Sequence, residues 1–127
     1  MTTKKLHAYF DKKLAQAHDM LKEHAKSVVE QPQHAMQWAD QAFAAAATLA
    51  IVSQVKRHLL ACTDQPFPTA LAAVIEPLQQ QLLDAVTVVH GGRANALYQQ
   101  AVVAELGRMV KLLLDVQTLG VMAIPSV

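Results

Sequence analysis

Turn-forming residues are scarce in this chain. Four glycines and five prolines among 127 residues are too few for an all-β protein, whose short strands need a turn roughly every 8–12 residues. A single cysteine, Cys62, excludes an internal disulfide framework and suits a reducing cytoplasm. Charge of one sign is missing too. Eleven Lys and Arg against ten Asp and Glu give a net charge of +1, without the cationic surplus that a polyanion binder needs, so nucleic acid is not expected as a partner.

Long apolar runs are also absent. The longest, Ala42 to Val52, includes Thr48 and has 11 residues, where a membrane span needs about 20. The first fourteen residues mix four lysines and Asp11 with scattered apolar side chains, and so lack the apolar centre of a secretory signal. The expectation is a cytoplasmic protein with no membrane segment.

Chemical signatures are missing as well. There is no Glu-x-x-His pair for a di-iron bundle, no H-E-x-x-H zinc helix and no Cys-x-x-Cys-His haem attachment. The nucleophile elbow G-x-S-x-G and the Walker phosphate loop do not occur either. No cofactor, metal or catalytic residue is therefore assigned. Six histidines remain. His7 and Asp11, four apart on one helix face, are the nearest thing to a ligand pair. Two ligands from one helix make a weak site without a third from elsewhere. The carboxylates Glu76, Asp84, Glu105 and Asp115 are expected in exposed salt bridges.

What the chain does have is helical periodicity, in four long segments separated by three breaks. The first runs from about Lys4 to Glu30, with Phe10, Leu14, Ala17, Leu21 and Val28 spaced by alternating fours and threes. His7 and His24 fall on the same seam. Gln31-Pro32 ends it, because the residue before proline is pushed out of the α region. The second, about His34 to Ala61, carries one seam of Trp38, Ala42, Ala45, Leu49, Val52 and Leu59. A parallel stripe holds Ala39, Phe43, Ala46, Ala50 and Ser53, with Ile51 and Val55 beyond both. Thr63 to Pro68 is the clearest loop.

The third segment starts near Pro68 or Thr69 and aligns Leu71, Ile75, Leu78, Leu82, Ala85 and Val89. Pro77 lies inside it, and either kinks the helix or opens its main part; the unbroken apolar spacing favours the kink. His90-Gly91-Gly92 is a helix stop. The fourth segment begins between Arg93 and Asn95, where Asn95 suits an N-cap, and ends near Gly120.

These features define an all-α fold: one domain, residues 1–127, built as a four-helix antiparallel bundle with up-down-up-down topology. Helix four carries more apolar surface than such a bundle requires. Val103, Leu106, Val110 and Leu113 form one seam. A second, about 100° away, holds Val102, Met109, Leu112, Val116 and Leu119. Either helix four touches something outside its own bundle, or the tail Val121 to Val127 folds over it. Those five residues are thus the candidate oligomer interface, with a homo-oligomer, first of all a dimer, as the expected partner. The function expected is a self-associating structural or protein-interaction module. The alternative is a bundle that holds a small apolar ligand between its helices, with Trp38 and Phe43 at the cavity mouth. An enzyme with a site shared across an oligomer is the least favoured class.

Overall fold

The computed structural model describes residues 2–33, 39–87 and 93–125; of 93–95 it describes the backbone. Four helices follow one another: α1 (Thr2–Glu30), α2 (Ala39–Ala61), α3 (Phe67–Thr87) and α4 (Arg93–Leu119), then a 3₁₀ turn at Gly120–Ala123. No strand occurs among the described residues. The class is all-α.

The helix ends follow local chemistry. The Gln31 amide donates to the Ser27 carbonyl at 2.8 Å, closing the last turn of α1 just ahead of Pro32. Between α2 and α3, Cys62 N–H donates to Leu59 and Gln65 N–H donates to Cys62, both at 3.1 Å. The α3 ladder opens with Ala70 N–H on the Pro66 carbonyl at 3.0 Å. Pro68 sits in that first turn, where a missing amide hydrogen costs nothing. Helix α3 continues through Pro77 without interruption, so Pro77 does not open a new helix. The expected start of helix two at His34, and the glycine stop at residues 90–92, lie outside the described residues.

All four helices contribute to one core. Leu6 and Phe10 of α1 meet Ile51, Val52, Val55 and Leu59 of α2; α3 adds Leu71, Val74, Ile75 and Leu78; α4 adds Leu106, Met109, Val110, Leu113 and Val116. Helix α2 packs against α1 and α4, and α4 also lies along α3. Among the described residues, polar contacts cross between helices at three places. Lys56 pairs with Asp11, Gln54 donates to Gln81 at 2.7 Å, and the Gln99 amide donates to the Ala85 carbonyl.

Two faces differ from the sequence expectation. In α1 the core residue beside Phe10 is Leu6, while His7 is only half-buried. An imidazole costs more to strip of water than a leucine side chain. In α2 the second buried face is Ala47, Ile51 and Val55, whereas Phe43, Ala46 and Ser53 are half-buried and Ala50 is exposed. Ile and Val remove more apolar area from water than alanine does, so they decide which side turns inward.

The second seam of α4 is mostly occupied within the chain. Met109 and Val116 are buried, and Val102 and Leu112 pack against the core; of the five, only Leu119 is exposed. The tail supplies part of the cover. Gly120 takes a positive φ of 71°, open to glycine at little cost. The 3₁₀ turn that follows touches both α1 and α4, and Ile124 enters the core. Packing within the chain, by the other helices as well as by the folded tail, covers four of the five residues. Met109 and Val116 are not surfaces that a second copy can reach.

Candidate functional site

Part of the apolar surface that the core leaves exposed lies at one end of the bundle. There the start of α1, the end of α2, the start of α3 and the end of α4 surround Phe67. On one side of Phe67 a cleft of about 200 Å³ is lined by Thr2, Pro68, Leu71, Val116, Gln117 and Gly120. On the other, a cleft of about 110 Å³ is lined by Thr3, Leu59, Cys62, Thr63, Gln65 and Ala70. Beside them Leu119 is 63% and Met122 88% exposed, and Leu60 of α2 is half exposed. Turning at Gly120 buries Ile124 and leaves Met122 in solvent. A single scattered apolar side chain needs no explanation, whereas contiguous apolar patches larger than a few hundred Å² mark contact sites.

Of the expected ligand-mouth pair only Phe43 is described. Phe43 stands edge-on to Tyr98 with ring centroids 6.3 Å apart, and Trp38 lies outside the described residues. Among the described residues no three His, Cys, Asp or Glu side chains gather as a metal site. Asp11, the partner proposed for His7, is held instead by Lys56. The His7 ring packs edge-on against Phe10, and its buried Nδ1 has no hydrogen-bond partner among the described residues. Burial, then the Lys56 charge, lowers its pKa below the usual 6.5, against a smaller opposing pull from Asp11.

Glu105 was the missed residue. The expectation of an exposed salt bridge fails: this carboxylate is 2% exposed. Arg108, one turn along α4, donates to its Oε2 from Nε at 3.1 Å and from Nη2 at 2.7 Å. The signal was in the spacing. Glu105 falls three residues after Val102 and four before Met109, inside the second seam itself. Across from it, the phenol of Tyr9 is half-buried, and its pKa is raised by burial and then by the Glu105 charge, with Arg108 pulling the other way.

Compared with protein-family models, curated proteins and solved structures, the chain matches none. Its function rests on its own geometry. No described helix is long and apolar enough to cross a membrane.

Proposed function

We propose that the chain is a small interaction module that self-associates, first of all as a dimer, in the cytoplasm. The observation carrying this reading is the apolar end of the bundle, where the exposed Leu119 and Met122 adjoin the cleft beside Phe67, Pro68 and Leu71. A two-fold interface needs a patch that is complementary to itself. This end offers both halves, a projecting methionine and a cleft of about 200 Å³ beside it. Methionine suits such contacts because its unbranched thioether adapts to an irregular surface. The proposal moves the interface from the stripe expected on α4 to its last turn and the tail, keeping Leu119 alone of the five residues.

The contacts between helices support the up-down-up-down course. Asp11 near the start of α1 meets Lys56 near the end of α2, and Gln99 near the start of α4 meets Ala85 near the end of α3. A bend of α3 at Pro77 belongs to the same picture, since proline removes the amide hydrogen that the Ala73 carbonyl would accept.

An apolar ligand between the helices has less in its favour. Clefts beside the described helices run from about 40 to about 200 Å³, against roughly 300–1,000 Å³ for pockets that enclose drug-sized ligands. Light scattering on protein separated by size tests the main reading. A dimer whose population grows with concentration, and which Leu119→Glu with Met122→Glu converts to monomer, is expected. A wild-type chain that stays monomeric at tens of micromolar contradicts it.

A further inference from the structure

Helices α1 and α4 lie on either side of a narrow cleft of about 40 Å³, lined by Tyr9 and Lys13 from α1 and by Glu105, Arg108, Met109 and Leu112 from α4. Its charges do not cancel. Glu105 is committed to Arg108 through both bonds to Oε2, which also fix the plane of the guanidinium. Lys13 makes no ion pair among the described residues. One carboxylate against two cations leaves a net positive mouth above a floor that Met109 makes apolar. A cation entering here would meet Lys13 and Arg108 first; an anion would be drawn in. The guanidinium fork matches the geometry of a planar oxyanion better than a point charge would.

We propose that this cleft binds the carboxylate head of a small organic acid. Lys13 and Arg108 take its charge, the Tyr9 hydroxyl donates a hydrogen bond to it, and the rest of the acid lies along the half-buried Leu112. Glu105 lines the cleft as well and acts as a positioning residue: it holds Arg108 in place, and its charge turns the acid's carboxylate toward Lys13 and Arg108. Size sets the limit on the ligand. A water molecule occupies about 30 Å³ of liquid volume, so the cleft accepts one small planar group and leaves the remainder of the molecule outside. Burial keeps the Tyr9 phenol protonated, as its role as donor requires.

Amide NMR spectra recorded during titration with acetate and then butyrate test the site on the intact chain. Chloride at matched ionic strength and inorganic phosphate serve as comparisons. Saturable shifts confined to amides near Tyr9, Lys13, Glu105 and Arg108 are expected, with butyrate binding more tightly than acetate. Lys13→Gln and Arg108→Gln each weaken binding about tenfold, while Lys22→Gln, on an exposed stretch of α1, leaves it unchanged. Melting curves of each variant verify that it folds. Equal shifts with chloride, phosphate binding as well as acetate, or full affinity in both cleft variants overturns the proposal.

Discussion

At the scale of the residue, the least predictable positions were the polar groups that the fold strips of water. His7 is one. Its pKa is lowered in the folded chain, so below 6.5 the unfolded chain binds a proton that the folded chain resists. The stabilisation from keeping His7 neutral is complete above 6.5 and is lost as pH falls through the lower folded value. Urea midpoints measured from pH 7.5 to pH 5 should therefore fall more steeply for wild type than for His7→Gln. Parallel curves would show that His7 titrates as it does in the unfolded chain.

Glu105 gives a second contrast at this scale. Replacing a buried charged residue with an apolar one of similar size is often neutral or stabilising, while removing only its partner strands the charge. Glu105→Leu should change the unfolding free energy by less than about 1 kcal/mol. Arg108→Ala should cost about 1–2 kcal/mol, less than a fully buried partner would, because its side chain is 61% exposed and screened by water. Denaturant titrations of the two variants check the order, which the account requires to hold.

At the scale of the element, the helices themselves were legible. The break at Gln31-Pro32 follows from proline chemistry. Helix α3, by contrast, starts at Phe67, a residue or two before the expected Pro68 or Thr69. Helix α4 starts at Arg93, so that Asn95 lies inside the helix and is not its N-cap. What periodicity could not rank was two adjacent apolar faces on one helix. In α2 alanine occupies both sides, so the direction of burial depends on where the neighbouring helices stand. Besides Ala45, Val52 and Leu59, the buried side is that of Ala47, Ile51 and Val55. Ala47→Leu should cost about 1–3 kcal/mol by overpacking, and Ala50→Leu, on the exposed side, less than about 0.5 kcal/mol. Thermal melts of the pair decide the point; equal losses would mean that α2 is turned differently.

The tail shows the same limit. Nothing local in Val121 to Pro125 says which residue enters the core, since Val121, Met122 and Ile124 are all apolar. The positive φ at Gly120 and the short 3₁₀ turn select Ile124. Ile124→Ala should then cost about 2–4 kcal/mol, against less than about 1 kcal/mol for Met122→Ala at a site 88% exposed. Similar costs for the two in denaturant unfolding would argue that the tail does not plug the core.

At the scale of the whole molecule, one core joins the four helices and the tail, and some of the apolar side chains it leaves out, Leu119 and Met122 among them, lie near the end of α4. The extra apolar surface of that helix was legible in the sequence. A folded tail was one of two explanations the sequence offered for it, and spacing along α4 alone could not choose between them. The acid-binding cleft was hidden for a similar reason: Tyr9 and Glu105 are 96 positions apart and meet only when α1 and α4 come alongside.

Native mass spectrometry over a range of protein concentrations measures the central claim most directly, with wild type beside the Leu119→Glu, Met122→Glu double variant. Association through the end of α4 gives a wild-type dimer that grows with concentration and a folded monomer in the variant. A wild type that is monomeric throughout, or a variant that dimerises as well as wild type, would contradict it.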